Sequence, residues 1–269
     1  MLNNKITFIG GGNMAEGIIK GIVSNEVFEP KNITVFDILN ERRKYLKDTY
    51  GITEAEDTSS SVKDADIVLI AVRPQDIVKV AQNIKNDLSK SAIIISICAG
   101  IKMEKMEELF GSEHKFVRVM PNTMIEVQHG YSAASVNDKV EESDKEIIKS
   151  LLNALGQTMF IDENMFNAFT AYSCAGPAYV MYFIAALVDS GVQSGFSRKD
   201  AISIALENLM ASALTIQKTG KHPYQITDTM TSPAGITIDG LHVLSESGFH
   251  GTVMSSIRKA LERTNELEK

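Results

Sequence analysis

The stretch Lys5–Gly21, KITFIGGGNMAEGIIKG, decides how the rest of the chain is read. An apolar run, Ile6–Ile9, has the character of a short strand. Gly10, Gly11 and Gly12 follow, and then Met14, Ile18, Ile19 and Ile22 recur with helical spacing. In this strand–turn–helix setting, Gly10-x-Gly12-x-x-Ala15 is the fingerprint of a dinucleotide site. Gly10 permits the tight turn, Gly12 lets the backbone approach a pyrophosphate, and small Ala15 lets the helix lie close to a sheet. The helix start adds unpaired N–H groups and a partial positive charge.

Outward from that stretch, strand and helix patterns alternate. Ile33–Phe36 reads as a second strand ending at Asp37, about 20 residues beyond Ala15, where the acidic residue that meets the adenosine ribose is expected. Glu41–Tyr50 reads as helix, with Arg42 and Arg43 as solvated charges on it. Ile67–Val72 is a buried strand, Asp76–Leu88 a helix, Ala92–Ile97 a strand and Met103–Phe110 a helix. Lys115–Met120 is a further strand; Tyr131–Ser135 and Thr158–Ile161 add strands on either side of a helix at Ser143–Leu155. Short links between alternating elements imply an α/β fold with a parallel, doubly wound Rossmann-type sheet, assigned to residues 1–162. In such sheets ligands bind beyond the carboxyl ends of the strands. The loops there are Ala71-Val72-Arg73-Pro74-Gln75, Cys98-Ala99-Gly100 and Met120-Pro121-Asn122-Thr123, in which Asn122 has both donor and acceptor capacity.

Residues 163–269 carry helical periodicity and no strand signal, and read as an all-helical dimerisation and substrate domain. Met165–Ser173 begins it, and Gly176-Pro177 opens a helix to Gly191 whose apolar residues surround the axis, so that a partner subunit is expected to cover it. Ser197-x-x-Asp200 starts a long helix through Thr219, stopped by Gly220, and Thr252–Leu267 closes the chain as helix. Thr231-Ser232-Pro233-Ala234-Gly235-Ile236-Thr237 reads as a helix start with Ser232 at the N-cap and Pro233 at the first position. Unpaired N–H groups at Gly235 and its neighbours, with the Ser232 hydroxyl, could hold a small carboxylate. Thr237 lies about a turn inside and could bond a substrate heteroatom.

Composition narrows the function classes. The chain has 269 residues, 44% hydrophobic and 23% charged, enough for two domains of ordinary soluble character. A net charge of −7 without a basic cluster argues against nucleic acid as a partner. Cys98 and Cys174 have no metal spacing and read as free thiols in a reducing compartment, and the five histidines form no ligand pair. The first strand begins too early to leave room for a signal peptide, and no run of about 18 apolar residues stands out. The expectation is a cytoplasmic protein with no metal and no membrane span.

At this point a resemblance becomes specific. IGGGNMAEGI, AVRPQ at 71–75, SICAGI at 96–101, RVMPNT at 118–123, AGPAYV at 175–180, GKHP at 220–223 and SPAGITIDGLHVL at 232–244 resemble, in order and spacing, the pyrroline-5-carboxylate reductases, which make proline. The resemblance covers essentially the whole chain. It implies reduction of the imine of a five-membered ring imino acid by NAD(P)H. It also implies a homodimer interlocked through the helical domain, with the site at the subunit junction and often a pentamer of dimers. By resemblance, Gly10, Gly11, Gly12, Asn13, Met14 and Ala15 form the dinucleotide loop, and Ala71, Val72, Arg73, Pro74, Ala99, Gly100 and Asn122 flank ribose and nicotinamide. Ser232, Gly235 and Ile236 fall on carboxylate-binding positions and Thr237 on the hydroxyl that bonds the ring nitrogen. Family members that take the 2′-phosphate place Ser, Asn or Arg where Asp37 stands. A carboxylate accepts from ribose hydroxyls and repels that phosphate, so NADH is expected, with NADPH left open.

The chain also departs from the family pattern. SGSGPAY is Ser173-Cys174-Ala175-Gly176-Pro177-Ala178-Tyr179, SPGGTT is SPAGIT, Gln-Thr on the long helix is Glu207-Asn208, and MPNTP is MPNTM. The first three fall near the expected substrate pocket. They keep two alternatives in view: a reductase of another cyclic imino acid, and a cofactor-binding paralogue without turnover.

Overall fold

In the central strands, unbroken β-branched runs leave no polar face, so they need cover on both sides. In the computed structural model, which describes Met1–Leu267, they receive it. The first compact unit comprises Met1–Cys174 together with the chain from Thr264. Its elements are β1 (Ile6–Ile9), α1 (Asn13–Ser24), β2 (Ile33–Phe36), α2 (Asn40–Tyr50), β3 (Thr53–Glu54), α3 (Thr58–Val62), β4 (Ile67–Ile70) and α4 (Ile77–Ile84). There follow β5 (Ile93–Ser96), α5 (Met103–Phe110), β6 (Lys115–Pro121), β7 (Gly130–Val136), α6 (Glu142–Asn153), β8 (Gly156–Phe160) and α7 (Phe166–Phe169). The strands form one sheet in the order β3-β2-β1-β4-β5-β6-β7-β8. Ile18, Ile22, Leu151 and Leu155 fill one of its two cores; Ile77, Ile84, Met106 and Phe110 fill the other. Chain order reverses between β1 and β4, so the glycine turn after β1 and the loop after β4 share the crevice at the switch point.

The doubly wound reading holds for β1 to β6, all parallel. β7 departs from it by running antiparallel to β6. The link between them is a 3-10 turn, Thr123–Val127, closed by Gln128 in the left-handed region at φ 58°, too short for a crossover helix. β8 returns parallel to β7 after α6. The helix expected over Asp76–Leu88 is shorter, since Pro74–Asp76 form a 3-10 turn before α4. β3 and α3 were not among the expected elements.

Contacts place the division between the two compact units after Cys174. Arg118 on β6, 2% exposed, donates from Nη1 to Glu163 Oε1 at 2.9 Å, and its guanidinium stacks 4.5 Å from the Phe166 ring. Glu163 also accepts from the Met103 N–H at 2.8 Å. These contacts tie Glu163 and Phe166 to β6 and α5, and Asn122 just beyond β6 reaches Ser173 in the π-helical turn Thr170–Cys174.

The second unit, Ala175–Arg263, is helical. It contains α8 (Gly176–Gln193), α9 (Arg198–Thr219), α10 (Pro223–Thr229), α11 (Ile236–Glu246) and most of α12 (Phe249–Leu267). As expected, the Ser197 hydroxyl caps α9, accepting from the Asp200 N–H at 3.1 Å, and Gly220 at φ 63° ends it. α8 and α9 pack through Val188, Ala201 and Ala205. Ile184 and Val192 pack beside them, whereas Val180, Met181, Tyr182 and Leu187 of α8 stay exposed, Tyr182 at 84%. Glu163–Gln193 is long and apolar enough, by length and composition alone, to cross a membrane, an apolar stretch that the sequence reading did not single out.

Candidate functional site

The first unit gathers its candidate residues at the carboxyl ends of the parallel strands. Gly10, at φ +102°, donates its N–H to Phe36 O at 2.8 Å; a Cβ there would lie 2.5 Å from Ala71 O. Only glycine lets the turn pass this close to β4. Gly12 is the N-cap of α1, with extended backbone and no side-chain cap, and a Cβ on it would meet nothing within 4 Å. The first N–H groups of α1, at Asn13 and Met14, have no acceptor within the helix, the space beside Gly12 is open, and Ala15 is fully buried against the sheet. That open cradle fits a pyrophosphate.

Asp37 stands at the end of β2. Its Oδ2 accepts from the Gly11 N–H at 2.8 Å and its Oδ1 from the Leu39 N–H at 2.9 Å. The carboxylate is thus fixed against the glycine turn. Arg42 and Arg43 are not solvated helix charges, because α2 turns both toward this corner. Arg42 donates from Nε to Gly11 O and from Nη2 to the Glu16 carboxylate. Arg43 donates from Nη1 to Asp37 O at 2.6 Å and from Nη2 to Asn40 Oδ1 at 3.2 Å, its guanidinium 5.8 Å from the Phe36 ring. Glu16 also accepts from the hydroxyls of Tyr45 at 3.0 Å and Tyr50 at 2.9 Å. Partial burial pushes the Glu16 carboxyl up, but hydrogen bonds from Arg42, Tyr50 and Tyr45 more than offset it and hold the group below the usual carboxylate range. Burial, with the bond to Glu16, pushes Tyr50 up to about 12. Sequence reasoning missed this cluster, whose members lie 26 to 34 positions from Glu16.

Ala71, Val72, Arg73 and Pro74 follow β4, with Arg73 exposed and bonded through Nε to Asp76 at 2.9 Å. Cys98 after β5 is buried, its Sγ 3.2 Å from Val72 O, and burial raises its thiol; Ala99 and Gly100 beyond it are exposed. Asn122 after β6 is buried with both ends of its amide engaged. Oδ1 accepts from the N–H groups of Met124 at 3.1 Å and Tyr131 at 3.2 Å, while Nδ2 lies 3.4 Å from Ser173 O and Oγ. Burial pushes the neighbouring Cys174 thiol up to about 11.

In the second unit the expected helix start is corrected. Ser232–Gly235 form a turn, closed by the Gly235 N–H donating to Ser232 O at 3.0 Å, with Ala234 at φ 57°. Proline second and positive φ third are the pattern of a type II turn. Gly235, not Ser232, is the N-cap of α11, and no side chain caps it. The Gly235 N–H is therefore spent in the turn, whereas those of Ile236, Thr237 and Ile238 open the helix. A Cβ on Gly235 would collide with Ser232 Oγ, so the hydroxyl sits against that N-terminus. Ile236 is 92% exposed and Thr237 is exposed beside it in the first turn.

Comparison with known proteins extends over the whole chain. Residues 163–267 match the family model described as pyrroline-5-carboxylate reductase dimerisation, and residues 5–100 match that described as NADP oxidoreductase coenzyme F420-dependent. Pyrroline-5-carboxylate reductase of Arabidopsis thaliana is 37% identical over 98% of this chain and 96% of its own. That of Escherichia coli K12 is 32% identical over the full length of both. The solved pyrroline-5-carboxylate reductase of Coxiella burnetii superposes with a TM-score of 0.93 at 28% identity over the full length of both chains. The Plasmodium falciparum enzyme, solved with NADP bound, superposes at 0.87 and 32% identity, again over both full lengths. On a glycine turn open to a dinucleotide, an uncapped α11 and full-length similarity, the chain belongs to the pyrroline-5-carboxylate reductase family.

Proposed function

We propose that this chain reduces 1-pyrroline-5-carboxylate to L-proline with NADH, using the glycine turn of the first unit and the N-terminus of α11 in the second. Gly10, Gly11, Gly12, Asn13, Met14 and Ala15 receive the pyrophosphate, and Asp37 meets the adenosine ribose. The loops at Ala71–Pro74, Ala99-Gly100 and Asn122 form the wall toward the nicotinamide. When bound, the coenzyme supplies a hydride. The ring C=N is already an electrophile, so the protein has to orient it, hold its carboxylate and exclude water, and orientation of this kind is worth about 7–11 kcal/mol. Ser232 Oγ and the N–H groups at the start of α11 hold the carboxylate. Thr237 bonds the ring nitrogen and assists its protonation as the ring carbon accepts hydride. The observation that carries this reading is the uncapped N-terminus of α11 beside the Ser232 hydroxyl.

The uncovered apolar side chains of α8 support self-association through the helical unit, and also account for a membrane-like stretch in a protein we read as cytoplasmic and not membrane-bound. We read the assembly as a homodimer, with a pentamer of dimers as its larger form. The coenzyme reading rests on Asp37, and Asp37→Ser is its test. The variant should raise the NADPH-to-NADH ratio of kcat/KM about tenfold or more, the effect of about 1.4 kcal/mol of relieved repulsion. An unchanged ratio would show that this side chain does not read the ribose.

A further inference from the structure

We infer that Glu16 is a positioning residue for coenzyme choice: it holds Arg42 against the glycine turn and so keeps that guanidinium from a 2′-phosphate beside Asp37. The inference rests on the reading that Asp37 meets the adenosine ribose and adds a second determinant to it. A carboxylate at the end of β2 disfavours a 2′-phosphate by repulsion, but a neighbouring arginine can reverse that preference by pairing with the phosphate.

Arg42 is close enough to matter. A Cβ on Gly11 would lie 3.5 Å from both Arg42 Cγ and Asp37 Oδ2, so the two side chains flank the same turn. Its donors, however, are directed elsewhere. Nε serves Gly11 O, Nη2 serves the Glu16 carboxylate, and the guanidinium lies 5.1 Å from the Tyr45 ring. Glu16 is held in turn, because the Tyr45 and Tyr50 hydroxyls both donate to its Oε1, leaving Oε2 to Arg42. The carboxylate thus bridges α1 and α2 and fixes the arginine's orientation through charge-assisted bonds, which are stronger than neutral ones. Arg43, the other basic candidate, is committed to Asp37 O and Asn40. Both cations next to Asp37 are therefore engaged inside the chain.

The test compares affinity for NAD⁺ and NADP⁺ by titration calorimetry, with no substrate present, in wild type, Glu16→Gln, Arg42→Gln and the double variant. Glutamine keeps the volume of Glu16 and can still accept from the tyrosines, and thermal melting checks that each variant folds. Glu16→Gln should tighten NADP⁺ about tenfold while changing NAD⁺ less than about threefold, the former equivalent to about 1.4 kcal/mol. The double variant should lose that gain, because it requires the released guanidinium; a non-additive cycle is the signature of the coupling. A Glu16→Gln protein with the wild-type affinity ratio overturns the inference. So does a gain that survives in the double variant, since removal of one negative charge would then explain it. Wild-type protein that does not prefer NAD⁺ overturns the NADH reading itself, a result visible before any variant is made.

Discussion

Alanine at Gly10 is expected to destabilise the first unit by about 2–6 kcal/mol and to abolish coenzyme binding. The backbone there, at φ +102°, lies in a region that side chains rarely enter. The added Cβ would stand 2.5 Å from Ala71 O and 2.9 Å from Ala71 C, and backbone atoms cannot swing aside as a flexible side chain can. Nor can β4 easily yield, because the Ala71 N–H is bonded to Ile9 O at 2.8 Å and Gly10 itself to Phe36 O. Relief must shift the ends of three strands at the point proposed for the coenzyme. Alanine at Gly12 is the control. Its φ is −64° and a Cβ there meets nothing within 4 Å, so the fold should be retained while the methyl group fills the pyrophosphate cradle. Thermal melting and NADH titration separate the two. Gly10→Ala should melt about 5 °C or more below wild type. Gly12→Ala should melt as wild type does yet bind NADH more weakly. Wild-type melting and affinity in Gly10→Ala would mean that the turn tolerates the side chain and does not fix the site.

Removal of the Thr237 hydroxyl is expected to lower kcat about 10- to 100-fold, or about 1.4–2.7 kcal/mol in barrier height. The residue lies in the first turn of α11, next to the N–H groups assigned to the carboxylate, and is exposed. Thr237→Ala should therefore change neither melting nor NADH affinity. An interaction made with the nitrogen as it becomes protonated is stronger in the transition state than in the ground state, so kcat should fall more than KM rises. Thr237→Ser should recover most of the rate. Unchanged turnover in Thr237→Ala would remove the hydroxyl from the mechanism.

What was legible in the sequence follows from where local rules govern. β1 at Ile6–Ile9, β2 at Ile33–Phe36 and α5 at Met103–Phe110 coincide with the expected bounds, because β-branched runs and helical periodicity act over a few residues. The cap of α9 was legible for the same reason: Ser197 and Asp200 are three residues apart. β3 has two residues and α3 is mostly serine and threonine, so neither carries a periodic signal. The direction of β7 depends on Gln128 adopting positive φ, which no propensity favours. Ser232-Pro233 is ambiguous by nature, since serine then proline begins either a helix or a turn. Ala234 at positive φ decided for the turn and moved the helix start to Ile236. The position of Asp37 was visible from spacing to Ala15; the grip of Glu16 on Arg42 was not. It joins residues 26 positions apart and exists only after α1 and α2 have docked.

The most direct measurement combines the purified protein with 1-pyrroline-5-carboxylate and either NADH or NADPH, following loss of the reduced nicotinamide and formation of L-proline. The account predicts turnover to proline with kcat/KM higher for NADH than for NADPH. No oxidation of either coenzyme would contradict it.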